Sequence, residues 1–274
     1  MAAPRRLRLD AELVRRGLAR SREHAAELVA AGRVSVRGQV ARKSATQVES
    51  AEPIVVVEDE SDPGYASRGG HKLAGALDDF DRRPGGGPVV AGRYCLDAGA
   101  STGGFTDVLL RRGAAHVVAV DVGYGQLAWS VQSHERVTVR DRTNVRELTP
   151  EQAGDPPPGL IVADLSFISL VKVVPALTAV AAADADLVLM VKPQFEVGKA
   201  NLPAGAVVRD PVLRAAAVRA VAGAGAELGL GVRGVTASPL PGPSGNVEYF
   251  LWMRRDAPPL DEAELRDAIE AGPQ

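Results

Sequence analysis

Two lysines and two carboxylates occupy positions that purely structural side chains rarely take. Asp164 and Lys192 each come at the end of an apolar strand, Glu248 opens the last predicted strand, and Lys72 lies just before a predicted helix. Taken singly, each is explained by an ion pair at the end of an element. Together, two amines and two carboxylates near one sheet edge suit the removal of a proton from a poor acid.

A lysine acts as a base only through its neutral amine. Burial and a neighbouring cation favour that neutral form, whereas carboxylates favour the ammonium, so we expect the carboxylates to orient the lysines. The chain has 5 lysines among its 32 Lys and Arg residues. Two of the five are Lys72 and Lys192, at positions where an arginine cannot serve as a base.

A glycine-rich turn, Leu96-Asp97-Ala-Gly-Ala-Ser-Thr-Gly-Gly-Phe-Thr106, ends a predicted strand and opens a helix. Ligands of open α/β sheets bind at such a turn. The glycines do not follow the G-x-G-x-x-G pattern, because Ser101 stands where a dinucleotide site needs glycine, so a ligand without phosphates is favoured over NAD. Asp121 ends the next strand, where a carboxylate accepts both hydroxyls of a ribose, and Asp97 is placed to receive a cationic amino group.

The elements that must position these residues alternate from Tyr94 onwards. Strands are predicted at 94–98, 116–121, 136–140, 160–165, 186–192, 234–239 and 247–254, with helices at 106–112, 127–132, 169–182 and 211–228. This alternation predicts an α/β fold, a doubly wound, Rossmann-like sheet of seven strands. The segment 240–246 is too short for a crossover helix, so the last strand should enter antiparallel.

A basic segment precedes this part of the chain. Residues 1–49 contain 11 Lys and Arg against 5 Asp and Glu, while the whole chain has a net charge of −2. Two short helices and a hairpin are predicted there, which indicates a small α/β domain over 1–60, a linker over 61–68 and a larger domain over 69–274. These basic residues could simply form a solvated surface without a partner. Their contrast with the acidic remainder of the chain favours binding to RNA phosphates.

The predicted RNA contacts are Arg5, Arg6, Arg8, Arg15, Arg16, Arg20, Arg22, Arg33, Arg37, Arg42 and Lys43. Aromatic residues are absent from 1–49. We therefore do not expect this domain to stack on splayed bases. We expect it to recognise the shape and backbone of folded RNA.

The motifs resemble those of known methyltransferases. The glycine turn with its acidic strand ends resembles the S-adenosylmethionine pocket of Rossmann-like enzymes, and the order Lys72, Asp164, Lys192, Glu248 resembles the K-D-K-E arrangement of FtsJ/RrmJ-like ribose 2'-O-methyltransferases. Over nearly the whole chain the sequence is similar to the TlyA family, in the segments 68–72, 97–106, 121–127, 163–169, 192–198 and 241–246.

This resemblance implies an enzyme that methylates a cytidine 2'-hydroxyl in bacterial rRNA, 16S, 23S or both, with S-adenosylmethionine as cofactor. It also implies that the N-terminal domain is similar to the RNA-binding fold of ribosomal protein S four. Lys72, Asp164, Lys192 and Glu248 become the catalytic set, with Lys192 as the base. The donor pocket becomes Asp97, Gly99, Ala100, Ser101, Thr102, Gly103, Gly104, Phe105, Asp121, Asn144 and Asp164.

Two other functions remain open, an NAD-linked oxidoreductase and a non-catalytic RNA-binding or haemolysin-like protein. No membrane partner is expected, because no apolar run is long enough to span a bilayer. The single cysteine, Cys95, fits a reducing compartment, so the cytoplasm is expected. The four histidines and Cys95 do not form a metal-ligand spacing, so no metal is expected.

Overall fold

The chain folds into two compact units, Met1–Arg68 and Gly69–Gln274, called here the N-terminal and the C-terminal unit. The computed structural model describes residues 6–57, 62–198, 202–242 and 244–273, apart from the side chain of Glu23. The predicted domain boundary at 60 falls within residues 58–61, which lie outside the described residues.

The N-terminal unit contains two helices, α1 (Leu9–Arg15) and α2 (Arg22–Ala30). Ser21 caps α2 by accepting a hydrogen bond from the backbone N–H of His24 at 3.1 Å. The strands are β1 (Arg6–Arg8), β2 (Val34–Val36), β3 (Gln39–Val40), β4 (Gln47–Glu49) and β5 (Ile54–Val56). β1 pairs with β4, and β2 lies between β3 and β5, all antiparallel.

The C-terminal unit is built on one sheet of seven strands. They are β6 (Tyr94–Ala98), β7 (His116–Val120), β8 (Val137–Arg140), β9 (Leu160–Ala163), β10 (Asp186–Val191), β11 (Leu230–Ala237) and β12 (Tyr249–Arg255). The order is β11-β12-β10-β9-β6-β7-β8, with β6 to β10 parallel and β12 antiparallel to both neighbours. The predicted seven-stranded doubly wound sheet and its antiparallel last strand are confirmed.

Helices cover the sheet and connect its strands. They are α3 (Arg68–Asp81), α4 (Gly104–Arg111), α5 (Trp129–Gln132), α6 (Pro150–Ala153), α7 (Val174–Val180), α8 (Pro193–Glu196), α9 (Pro211–Ala226) and α10 (Glu262–Ala271), with 3-10 helices at Val145–Glu147 and Leu170–Lys172. The single helix predicted over 169–182 is interrupted. Pro175 lies in the first turn of α7, where its missing N–H costs nothing but where it cannot continue a preceding helix.

The direction of the strand order reverses between β6 and β9, which are neighbours in the sheet. Parallel strands bring their carboxyl ends to the same edge, and a crevice opens where the order reverses. The backbone N–H of Asp164 donates to the carbonyl of Ala98 at 3.0 Å, so the residues that follow β9 lie directly beside the glycine turn that follows β6. The fold therefore places the two predicted ligand segments side by side.

Two element boundaries differ from the prediction in ways that affect the site. Lys72 lies inside α3 and not before it, and Glu248 immediately precedes β12, which begins at Tyr249. Among the described residues, no helix combines the length and the apolar character that crossing a bilayer requires.

Candidate active site at the carboxyl edge of the sheet

Asp97 is a fully buried carboxylate at the end of β6. Its Oδ2 accepts a hydrogen bond from the hydroxyl of Thr106 at 2.7 Å, while Oδ1 is buried and has no hydrogen-bond partner among the described residues. Burial raises the pKa of the Asp97 carboxyl to about 7, and the charges of Asp164 and Asp121 act in the same direction. An orphaned buried oxygen of this kind fits a cationic ligand group that the structure does not itself supply.

The glycine turn approaches the end of β9 too closely for a side chain. Gly99 has φ +88°, and a Cβ built there would collide with the carbonyl oxygen of Asp164. Gly103 has φ +92°, and a Cβ there would lie 3.1 Å from the side chain of Val131. Glycine is therefore favoured at both positions by the backbone conformation, and at Gly99 it is also required for space.

Asp121 holds the turn from the neighbouring strand. Its Oδ2 accepts from the backbone N–H of Ser101 at 2.8 Å, and its Oδ1 accepts from Gly123 at 2.7 Å. A carboxylate oxygen can accept a second hydrogen bond, so both oxygens retain capacity for ribose hydroxyls. Asn144 is exposed and caps the 3-10 helix that starts at Val145, accepting from the backbone N–H of Arg146 at 3.1 Å.

The remaining predicted pocket residues continue from the turn into α4. Ala100 and Phe105 are buried, and the carbonyl of Thr102 accepts from the backbone N–H of Ala128 at 3.1 Å. Gly104 is the first residue of α4. The turn is thus held from several sides before any ligand arrives.

Lys192 and Asp164 form one ion pair at the carboxyl edge. Lys192 Nζ lies 2.5 Å from Asp164 Oδ1 and donates a hydrogen bond to Ser166 Oγ at 3.0 Å. Lys192 is only 9% exposed. Each residue follows a neighbouring parallel strand, β10 or β9, which is why the two meet.

Lys72 and Glu248 form the second ion pair. Lys72 Nζ lies 2.6 Å from Glu248 Oε2, and the two residues are 6% and 1% exposed. The antiparallel register pairs Val191 with Tyr249, so Glu248 lies at the same edge as Lys192. A Cβ on Gly242 would lie 2.7 Å from Glu248 Oε1, which explains a glycine in the turn before β12.

The structure thus arranges the four predicted residues as two ion pairs. Lys72–Glu248 is buried, whereas in Lys192–Asp164 the Asp164 side chain is 26% exposed. The sequence did not single out Ser166, Gly242 or Glu196, although all three lie within the segments that carried the family resemblance. Glu196 accepts hydrogen bonds from the hydroxyl of Ser169 and the backbone N–H of Leu170. Among the described residues, no group of three or more His, Cys, Asp and Glu side chains is arranged to hold a metal ion.

Many predicted RNA-binding arginines are engaged in ion pairs within the N-terminal unit. The buried carboxylate of Asp10 accepts from Arg8 and Arg22, and the fully buried carboxylate of Glu12 accepts from Arg15 and Arg16. Arg6 pairs with Glu49, Arg37 with Glu52, and Arg33 Nε donates to the carbonyl of Val57. Arg20, Arg42 and Lys43 are exposed, and Arg5 lies outside the described residues.

Comparison with known proteins agrees with this geometry. Residues 65–255 match the FtsJ-like methyltransferase family, and residues 7–54 match the S4 domain. A Rossmann-like sheet with two lysine–carboxylate pairs beside a glycine turn defines the class, and this chain belongs to the FtsJ-like methyltransferases.

The resemblance to individual relatives extends over most of the chain. The 16S/23S rRNA (cytidine-2'-O)-methyltransferase TlyA of Mycobacterium tuberculosis is 59% identical over 97% of this chain and 96% of its own. Hemolysin A of Brachyspira hyodysenteriae is 35% identical over 89% of this chain and 98% of its own. A solved structure described as a hemolysin from Streptococcus thermophilus has a TM-score of 0.76 and 32% identity, covering 98% of this chain and 96% of that one. The chain belongs to the TlyA family.

Proposed function

We propose that the protein transfers the methyl group of S-adenosylmethionine to a cytidine ribose 2'-hydroxyl in rRNA, of the 16S type, the 23S type or both. The observation that carries the proposal is the buried Lys192 amine, held by Asp164 and Ser166 beside the glycine turn. The relatives named for this reaction support it, since they match 97% of this chain over 96% of their own length.

The glycine turn and its acidic neighbours suit the methyl donor. Bound S-adenosylmethionine supplies an activated methyl group on a cationic sulfur. Asp97 Oδ1 is the buried acceptor that a donor ammonium group requires. Asp121, at the end of β7, has oxygens for the ribose hydroxyls, and the segment from Gly99 to Phe105 provides close backbone approach. Asn144 is assigned to the adenine side of the same pocket.

Lys192 is the group that removes the proton from the 2'-hydroxyl. Once the Lys192 ammonium has lost one proton to solvent, the neutral amine has two N–H donors and one lone pair; Ser166 Oγ accepts one N–H at 3.0 Å, and Asp164 Oδ1 lies 2.5 Å from Nζ. The lone pair is then left for the proton of the hydroxyl. As the 2'-oxygen forms its bond to the methyl carbon, the proton moves to Nζ and the sulfur–carbon bond breaks.

Lys72 and Glu248 orient the acceptor ribose. Their pair is buried at the same edge and presents a donor and an acceptor of hydrogen bonds. Holding the nucleophile in line with the methyl group is a large part of what an enzyme contributes to such a transfer.

The S4-like segment is proposed to bring the enzyme to folded rRNA in the cytoplasm. In this division of labour residues 1–60 bind RNA, 61–68 link, and 69–274 transfer the methyl group. The exposed cations Arg20, Arg42 and Lys43 suit contacts to phosphates. The paired arginines hold the unit together and present guanidinium edges around it.

The decisive experiment incubates the protein with methyl-labelled S-adenosylmethionine and undermethylated ribosomal subunits or 70S ribosomes, then maps the label. We expect label on a cytidine ribose. The Lys192→Ala variant should bind the donor with nearly unchanged affinity and transfer no methyl group. No ribose label in any substrate would overturn the proposal, and wild-type transfer by Lys192→Ala would remove Lys192 as the base.

A second measurement tests the division of labour. Deleting residues 1–60 should weaken binding to ribosomal subunits far more than binding to the donor, both measured by calorimetry. Equal losses, or a larger loss of donor binding, would contradict the assignment of RNA recognition to the S4-like segment.

A further inference from the structure

Two segments at the carboxyl edge are joined by side-chain contacts that the proposed chemistry does not use. One segment, residues 164–171, follows β9, and the other, residues 192–197, follows β10. Glu196 Oε2 accepts from the hydroxyl of Ser169 at 2.5 Å, and Glu196 Oε1 accepts from the backbone N–H of Leu170 at 2.8 Å. The rings of Phe167 and Phe195 lie 5.4 Å apart between the same segments. We call these contacts the loop clasp.

The loop clasp is connected to Lys192 through the backbone of α8. α8 is a single turn in which the backbone N–H of Phe195 donates to the carbonyl of Lys192 at 2.9 Å, and that of Val197 donates to Pro193 at 3.0 Å. Because the turn is closed by hydrogen bonds, a shift of Glu196 moves the backbone that carries the Lys192 amine.

In segment 164–171, the clasp residue Ser169 is close in sequence to Asp164 and Ser166, the partners of the Lys192 amine. Ser169, which donates to Glu196, lies three residues after Ser166 and five after Asp164. Phe167, between them, has φ +64°, a conformation that is unfavourable for a residue with a side chain unless its surroundings hold it. The segment that carries Asp164 and Ser166, the ion-pair and hydrogen-bond partners of Lys192, is thus held in place by its contacts with 192–197.

Burying the Glu196 carboxylate costs desolvation free energy, so packing alone does not explain it. Burial raises the pKa of the Glu196 carboxyl, so its charged form is retained against a desolvation cost by the donors of Ser169 and Leu170. An apolar side chain of similar size would avoid that cost. What the carboxylate adds is direction, because it accepts hydrogen bonds only from donors placed in one arrangement of the two segments.

We infer that Glu196 is a positioning residue for methyl transfer, which fixes the Asp164–Ser166 segment against Lys192 so that the amine lone pair faces the acceptor hydroxyl. The inference rests on the proposed function. In this inference Lys192 accepts the proton, and Glu196 keeps Lys192 and its partners aligned.

The test compares three variants in the full-length protein. Glu196→Ala removes both hydrogen bonds. Glu196→Gln keeps the shape and an oxygen for the Leu170 N–H, and its amide can donate to the Ser169 hydroxyl. Asp261→Ala is the control. The Asp261 carboxylate caps the N-terminus of α10 by accepting a hydrogen bond from the backbone N–H of Ala263 at 2.7 Å, so its removal should lower stability at a place away from the loop clasp.

The readouts are kcat, the KM values for donor and RNA, and the midpoint of thermal unfolding. We expect Glu196→Ala to lower kcat by about 10- to 100-fold, because misplacement of a reacting group by about 1 Å has effects of that order, while both KM values stay within about twofold. Glu196→Gln should recover kcat to within about threefold of wild type. Asp261→Ala should lose thermal stability with its kcat unchanged.

Hydrogen exchange in the absence of substrate provides a readout that does not depend on catalysis. Peptides covering 164–171 should exchange faster in Glu196→Ala than in wild type, and at the wild-type rate in Asp261→Ala. A Glu196→Ala enzyme with wild-type kcat, or a kcat loss matched by Asp261→Ala at equal loss of stability, would overturn the inference alone. An inactive wild-type protein would overturn the proposed function, and the inference with it.

Discussion

Binding of the methyl donor should depend on pH through the ionisation of the Asp97 carboxyl. The Asp97 carboxyl is buried, its pKa is raised to about 7, and Oδ1 has no hydrogen-bond partner among the described residues. A protonated carboxyl does not attract an ammonium group, so only the ionised fraction binds the donor well. Lowering the pH through 7 should therefore weaken donor binding.

The expected size follows from the ionised fraction. With a pKa of about 7, Asp97 is about nine-tenths ionised at pH 8 and about one-tenth ionised at pH 6, so its ionisation alone should raise the donor Kd about tenfold between them, or about 1.4 kcal/mol. The ammonium group of the ligand titrates near pH 8, and the Asp97→Asn variant controls for it because the ligand is the same. We expect Asp97→Asn to bind about tenfold or more weakly at pH 8 and to lack the loss below pH 7.

Isothermal titration calorimetry at pH 6, 7 and 8, in buffers of different ionisation enthalpy, measures both affinity and protons. Wild-type protein should release close to one proton per donor bound at pH 6, and Asp97→Asn should release none. The same pH dependence in both proteins would refute the assignment of the donor ammonium to Asp97.

The same shift has the opposite effect on stability. The pKa of Asp97 in the folded state lies above the ordinary carboxyl value, so the folded state holds its proton more tightly than the unfolded state does. The stability of the donor-free protein should fall as the pH rises from about 4 to about 7. Asp97→Asn should therefore unfold at a higher temperature than wild type at pH 8, which differential scanning calorimetry measures.

Three further perturbations follow from the structure. Lys72→Met leaves the buried Glu248 carboxylate without its counter-ion and should lower the free energy of unfolding, measured in urea, by about 3–5 kcal/mol. Adding Glu248→Gln to this variant should largely restore the free energy of unfolding without restoring activity. Glu12→Gln weakens its hydrogen bonds with two arginines and should destabilise the N-terminal unit by about 1–3 kcal/mol. Because the Arg15 guanidinium lowers the pKa of Glu12 to about 2, wild type should lose this stability as the pH falls from about 4.5 towards 2, and the variant should not. Gly99→Ala should abolish donor binding, because its Cβ collides with the Asp164 carbonyl and its φ of +88° is strained.

Each of these has a contradicting outcome. A Lys72→Met protein as stable as wild type would mean that the buried pair is not what holds Glu248. Equal acid unfolding of Glu12→Gln and wild type would remove Glu12 from the stability of the N-terminal unit. For the glycine, the control is Gly223→Ala in α9, where a Cβ meets nothing within 4 Å. Loss of donor binding in that control as well would contradict the steric explanation.

Local sequence patterns were sufficient for the elements of the sheet. Apolar strands alternating with helices specify parallel pairing, and the short connection before the last strand specifies its reversal, because both rules depend only on chain length and periodicity. β1 was not predicted, because three residues show no readable alternation and the strand exists only through its pairing with β4. The helix predicted over 169–182 is interrupted before α7, because Pro175 in the first turn of α7 cannot continue a preceding helix, and this proline was readable in the sequence.

What the sequence by itself determined is the set of candidate site residues and the segments that carry them, because amines, carboxylates and glycines at strand ends can be read from residue types and spacing. The tertiary structure alone decided how these groups are paired. Lys72 meets Glu248 across 176 residues, and Lys192 meets Asp164 because β9 and β10 are neighbours. It also showed that Glu196 joins the two loops, and that many of the basic residues near the N-terminus are held by buried carboxylates. Contacts between distant parts of the chain depend on strand order and register, which no local pattern specifies.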